Sequence, residues 1–583
     1  MAIILDAYAA RTCAVKTWNR FAPGVERPVA DESLRESFAG GISFSDQVLA
    51  ALLTEYAGEV ADLRPLRDRS ASSQEDACLR ALSAGIPVVI AGLLPLDFAG
   101  HRSGRADLWV RGADRPDGTP GYHPVVIARR LVTEKRQSGR QPWSVQASDL
   151  TAPAPAAART IDSRAIKTQR DGVLLQIAHY WRLLESAGHA APGTPTAGII
   201  GTDDYHEQGH HSITWIDLTS PIIRTFSRSS ETGWALRSVL ERYDHEHDFR
   251  VKVAENALAD ETPIVTPIRN RECDSCDWWE VCKPQLGEDD LSVRIDKAPL
   301  DIREISALRA LGIRTLTDLA GIDLERLKPR YLPEVRHRQA AEQRLEVATH
   351  RARLMVESVD LERLTTGPIE VPRADIEIDF DIETAADERV YLWGFLVNDT
   401  RSGDPPQFVQ FSAWTDLDRA AEIELARRAV GWLRSLTEGP ASVRVYHYSA
   451  YEVVRMHQLA QVSGDPLLAW GANYAATEFC DLFLTMKDHW FGTRGLGLKV
   501  VATVGAGFEW RDTEPGGLNS QAWFDEACHS PSPEIRMAAR QRVLDYNEDD
   551  VRATWQLREW LRDQTQPGTQ EAGDDRSRPP VGR

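Results

Sequence analysis

The chain has 583 residues, with 68 Lys and Arg against 87 Asp and Glu, a formal net charge of −19 and 42% hydrophobic residues. That length exceeds a single hydrophobic core and points to three or four domains, and the acidic balance excludes a uniformly basic, nucleic-acid-coating protein. No apolar run approaches the ~18 residues of a membrane span, and the opening MAIILDAYAARTC lacks a basic n-region, so the reading is a cytoplasmic protein with no membrane contact.

In chain order, RADLWVR at 105–111 and YHPVVIARRLV at 122–132 read as strands around a turn-rich GADRPDGTPG, on β-branched content and turn chemistry. Residues 149–160 read as a flexible loop, and 172–187 as an amphipathic helix from apolar residues at helical spacing. YHEQGHH at 205–211 reads as a hairpin loop, with metal binding the lesser option. Positive charge is locally concentrated. Residues 101–170 hold thirteen Lys and Arg against six Asp and Glu, and 326–353 hold eight against three. Each segment is either a phosphate-binding surface or ordinary solvated surface.

RECDSCDWWEVC at 271–282 sets Cys273, Cys276 and Cys282 in a C-x2-C-x5-C array without a fourth ligand. Soft-metal sites are normally closed by four. Reducing conditions argue against a disulfide framework among the seven cysteines, and Cys78, Cys480 and Cys528 read as small apolar residues. Next, LDIREISALRALGIRTLTDLAGIDLERL at 300–327 reads as short helices flanking LGIRT, with Gly312 as a C-cap. It resembles a helix-hairpin-helix module, which grips phosphate through helix N-terminal amides; a plain helical linker is the alternative. Residues 334–357 read as one basic helix.

From about residue 373 strands dominate, and the order β-β-β-α-β-α is that of an RNase H-like fold. In DFDIET, Asp381 and Glu383 project from one strand face, and two adjacent carboxylates repel unless a cation lies between them. Asp379 continues that face as a third acid or as exposed charge. Glu452 enters a helix after the fourth strand, Asp481 is a candidate further acid, and Tyr546 and Asp550 lie four apart on the last helix, which Pro533 opens behind Ser532.

This combination resembles the DEDD exonucleases in their tyrosine variant, over roughly residues 373–562. The resemblance implies that Asp381, Glu383 and Asp550 hold two Mg²⁺ or Mn²⁺ ions, that Tyr546 orients the attacking water, and that Glu452 stands where the family has Asp. The first half resembles the RecB-like nucleases, through GRAD ending at Asp107, QIAHY with Gln176 and Tyr180, and the cysteine array. Their iron–sulfur subset implies a [4Fe-4S] cluster on Cys13, Cys273, Cys276 and Cys282, with zinc on the same thiolates as the alternative. The nuclease motif itself departs from the family: Val126, Ala128 and Gln74 stand where metal-binding and catalytic groups are expected, leaving Asp107 and Glu75.

The fold class expected is therefore α/β, with a degenerate RecB-like domain at 1–292, a helix-hairpin-helix region at 293–335, a helical linker at 336–372, an RNase H-like exonuclease domain at 373–565 and a disordered tail at 566–583. The function expected is a 3′–5′ exonuclease on DNA. An RNA exonuclease and a non-catalytic DNA-binding subunit working with a separate helicase are the alternatives, since the sequence contains no G-x4-G-K-[ST] of its own.

Overall fold

Short runs of β-branched and aromatic residues between turn-forming stretches supply the strands of the first half. In the computed structural model, which describes residues 2–28, 32–136, 144–168, 171–205, 211–295, 300–385, 388–513 and 517–564, the chain divides into two units, Met1–Ala348 and Thr349–Arg583. The loop read at 205–211 lies largely outside the described residues, and so does the tail at 566–583. Among the described residues no helix is long and apolar enough to cross a membrane.

The first unit is built on a mixed eight-stranded sheet of β1 (Val60–Asp62), β2 (Val88–Ile90), β3 (Leu108–Arg111), β4 (Tyr122–Ile127), β5 (Val145–Asp149), β6 (Arg159–Ile161), β7 (Thr196–Ile200) and β8 (Ser212–Asp217), ordered β1-β2-β3-β4-β7-β8-β5-β6. A separate hairpin, β9 (Ile223–Phe226) and β10 (Trp234–Arg237), follows. Its helices include α1 (Ala14–Phe21), α2 (Ala71–Ser83), α3 (Gly172–Ser186), α4 (Val239–Leu258), α5 (Ile302–Ala310) and α6 (Leu316–Ala320).

Two sequence expectations change here. The helix at 172–187 forms, but α3 is buried on nearly every face, because it is held between strands β4 and β7 on one side and α4 on the other. The stretch read as a loop at 149–160 ends in β6, which pairs with β5 at the sheet edge.

The basic helix read over 334–357 begins only at Ala341, as α7 (Ala341–Val356). Ala340 sits at φ +53°, a left-handed conformation that interrupts a right-handed helix.

The second unit follows the expected element order. A five-stranded sheet contains β11 (Ile376–Thr384), β12 (Val390–Asp399), β13 (Gln407–Ser412), β14 (Val443–His447) and β15 (Phe479–Asp481), ordered β13-β12-β11-β14-β15. The β11–β12 and β12–β13 pairs are antiparallel, whereas β11–β14 and β14–β15 are parallel. Its helices include α8 (Arg419–Thr437), α9 (Tyr451–Ser463), α10 (Leu498–Val504), α11 (Gly517–His529) and α12 (Pro533–Asp563).

Strand β11 shows why this unit holds together. Its period of two places Ile378, Phe380 and Ile382 against Leu425, Ala429 and Leu433 of α8. The other face carries Glu377, Asp379, Asp381 and Glu383 toward α12. Fully buried Arg558 of α12 pairs with Asp379 at 2.9 Å and with Glu377, and Arg562 pairs with Glu377 at 2.8 Å. Asp379 is thus neither a third metal acid nor exposed charge; it is a sealed ion-pair partner.

A buried carboxylate that loses its cation is left uncompensated. Arg558→Met is therefore expected to destabilise this unit by about 3–5 kcal/mol, measured as a fall in its urea midpoint. An unchanged midpoint would mean that the pair contributes no net stability.

Candidate active site

Two residues further along β11 the neutralisation stops. Among the described residues, no Lys or Arg forms an ion pair with Asp381 or Glu383. Asp550 of α12 joins them instead, and one carboxylate oxygen from each of the three lies within 4.8 Å of the others.

Burial first, and then the charges of Glu383, Asp550 and Glu452, hold the Asp381 carboxyl far above its usual range. Burial and Asp550 push Glu383 up to about 8, and burial raises Asp550. Three converging carboxylates of this kind are the donor set of a hard divalent cation, which replaces the missing positive charge and takes oxygen ligands.

Each carboxylate also accepts hydrogen bonds from neutral donors. Asn547 Nδ2 donates to Asp381 at 2.7 Å, Ser520 Oγ to Glu383 at 2.6 Å and Trp510 Nε1 to Asp550 at 2.7 Å. Neutral donors orient an acid without cancelling its charge, as ligand-orienting groups do at metal sites. Gly394 of β12, opposite Asp381 in register, leaves the space Asn547 needs, since a Cβ there would collide with the Asn547 amide. The Tyr546 hydroxyl accepts from Lys499 Nζ at 2.7 Å.

The remaining expected acids stand apart from this trio. Glu452 is buried on α9 with His447 Nδ1 at 3.4 Å, and reaches Asp381 through its charge. Asp481 is occupied structurally, since its carboxylate accepts from the Ser449 and Phe483 amides at 3.0 and 2.9 Å. Of the residues the sequence reading missed, Asn547 carried a signal: it lies three before Asp550, on the same helical face. Lys499, Trp510 and Ser520 arrive from separate segments and carried none.

In the first unit the four cysteines singled out by spacing and resemblance line one pocket, with Trp278, Trp279 and Ile268. Cys13 is the N-cap residue of α1, and its amide donates to the Glu272 carboxylate, which pairs with Lys16 at 2.7 Å. Asn19 Nδ2 lies 3.5 Å from Cys282 Sγ. Burial pushes the thiols of Cys13, Cys276 and Cys282 up, so thiolates there need a compensating cation.

Asp107 is half-buried, accepts from the Ile127 amide at 2.7 Å, and is raised by desolvation to about 6. Gln74 is taken up by Arg105 and by the Arg69 carbonyl, and Gln176 by Arg11 at 2.6 Å.

The helix-hairpin-helix expectation meets a physical obstacle. Both helices form, and Gly312 takes φ +91°. The amides at the start of α6 are already bonded, however: Arg314 and Thr315 donate to Asp318, Thr317 to the Asp289 carboxylate, and Leu316 to the Asp289 carbonyl. A phosphate there would have to displace two aspartates.

Residues 378–562 match the family model RNase_H_2, described as RNase_H superfamily, so the second unit contains an RNase H-like domain within a mixed α/β protein. A solved structure described as "3'-end specific recognition of histone mRNA stem-loop by 3'-exonuclease" aligns at 10% identity over 43% of this chain and 86% of that one, with a TM-score of 0.22. That score carries no argument. No curated protein matches the chain.

The raised acids give this site a pH signature. Glu383 ionises near 4.5 when unfolded and near 8 when folded. The stability associated with its proton is therefore complete below pH 4.5 and is lost as pH rises through about 8. In EDTA, the melting temperature of the second unit, taken relative to Glu383→Gln, is expected to fall between about pH 5 and pH 8. Mg²⁺ should restore it, more at pH 8 than at pH 5. A pH-independent difference in calorimetry would show that burial and Asp550 do not hold the proton on Glu383.

Proposed function

We propose that the second unit is a divalent-metal-dependent nuclease, acting as a 3′–5′ exonuclease on DNA. The observation that carries this reading is the divided acid face of β11. Two carboxylates are sealed by arginine, and the next two converge with Asp550 on an RNase H-like domain. Lys499 stands nearby, held by Tyr546, and among the described residues there is no direct ion pair to Asp381 or Glu383.

Two Mg²⁺ or Mn²⁺ ions bound by Asp381, Glu383 and Asp550 would supply positive charge to the entering and leaving oxygens of an in-line phosphodiester attack. The chain's own groups do the rest. Asn547, Ser520 and Trp510 fix one oxygen of each acid and leave the others facing inward. Tyr546, its hydroxyl held by Lys499, orients the attacking water. Glu452 is assigned the outer acid position, where its charge strengthens the demand for a cation at Asp381.

For the first unit, the reading is a RecB-like domain that binds nucleic acid, with a degenerate nuclease centre and a [4Fe-4S] cluster on Cys13, Cys273, Cys276 and Cys282. Zinc is the rival.

Purified protein with Mg²⁺ or Mn²⁺ is expected to shorten end-labelled DNA, with RNA run in parallel to test the alternative substrate. Asp381→Ala and Asp550→Ala should abolish cleavage while leaving binding intact. Tyr546→Phe should lose on the order of 10²-fold, typical of one positioned proton-handling group. Variants that all cleave like the parent would remove this unit as the nuclease.

Protein purified without oxygen should contain iron and sulfide, and Cys13→Ala should bleach it as fully as Cys276→Ala. Stoichiometric zinc without iron would overturn the cluster.

A further inference from the structure

Ion pairing decides how much of a basic segment's charge remains for a partner. In the segment beginning at 326, Lys328 bridges Glu325, Glu342 and Glu346 at 3.1, 3.0 and 2.7 Å, while Arg338 and Arg344 are taken by Asp301 and Glu304. These three cations hold little positive charge free for a partner.

A different surface of the first unit retains it. An open groove of about 890 Å³ runs between the β9–β10 hairpin, α4, the start of α5 and the cysteine-bearing loop. Its acids are already engaged: Glu246 by Arg242 and Arg250 at 2.6 and 2.8 Å, Asp171 by Arg242 at 3.9 Å, Glu272 by Lys16 and Asp301 by Arg338. Arg224 and Arg303 are exposed, and among the described residues neither has a carboxylate partner. Each lies over an aromatic ring instead, Arg303 at 3.8 Å from the Phe226 centroid and Arg224 at 4.8 Å from that of Trp234. Along the same groove Phe249, Ile264 and Ile302 expose apolar surface, at 36%, 52% and 51%.

We propose that this groove binds a single strand of nucleic acid. A guanidinium held over a ring has fewer conformations to lose on binding, and keeps its N–H donors for a phosphate. Two such arginines beside exposed apolar side chains match a polymer that alternates charge with flat apolar rings. The proposal rests on the nucleic-acid reading of the first unit, but not on the acid trio being catalytic.

The test is fluorescence anisotropy in EDTA, with labelled oligothymidylate and oligouridylate, on the full chain carrying its cysteine-bound centre. The parent and Asp381→Ala should bind alike. Arg224→Glu with Arg303→Glu should weaken binding at least about tenfold and reduce the salt slope by about 1.4, near 0.7 per lost single-strand phosphate contact.

Arg224→Lys with Arg303→Lys, which keeps the charge but loses the planar guanidinium, should weaken binding less than the charge reversal and leave the salt slope near that of the parent. The two probes distinguish DNA from RNA. Unchanged affinity and slope in the charge reversal would overturn the groove, as would loss of a labelled poly-glutamate probe with nucleic-acid binding retained, which would assign it to an acidic peptide. If the parent binds but never cleaves, and the reversal abolishes binding, the nuclease reading fails and the groove stands. If cleavage persists and the reversal binds normally, the groove alone fails.

Discussion

Four carboxylates on one buried face of a strand cannot stand without positive charge, and the second unit is arranged around how that charge is supplied. Helix α12 crosses the acid face of β11 and treats its two halves differently. Arg558 and Arg562 reach Glu377 and Asp379, whereas Asn547 and Asp550 reach Asp381 and Glu383. The spacing fits an antiparallel helix on a strand. From Asp550 to Arg558 the helix rises about 12 Å, and from Asp379 to Glu383 the strand advances about 13 Å. A single helix thereby closes one end of the face and leaves the other in need of a cation.

Much of this was legible in the sequence, because a period of two reports which side chains share a face. Asp381, Glu383 and the Tyr546–Asp550 pair were readable for that reason, as was the element order of the second unit. The sequence does not report what the face meets. Asp379 and Asp381 are indistinguishable in IEIDFDIET, and only the arrival of Arg558 from 179 residues away separates them. The same limit applies to the hairpin before α6. Its glycine is visible locally, but Asp289, which occupies its amides from 28 residues upstream, is not.

Charge was the least legible quantity. Counts along the chain marked 326–353 as basic, yet Lys328, Arg338 and Arg344 are taken up by acids that the counts do not place beside them. Arg224 and Arg303, which lie over aromatic rings, fall outside both basic segments. Helical periodicity was limited in a similar way: α3 carries an apolar stripe, but packing on two sides buries its polar groups too, including His179 and Trp181.

The cysteine pocket also imposes an order of events on the newly made chain. Cys13 and Cys273 are separated by 260 positions, so at about 5–20 residues per second the first thiol leaves the ribosome roughly 13–50 seconds before its partners exist. During that interval Cys13 can meet any soft metal or oxidant the cell offers. Glu272 and Asn19, the groups that flank the pocket in the finished fold, are then respectively unmade and not yet positioned. A metal centre on the four thiols could therefore close only once Cys282 has been made and the two ends of the unit have met.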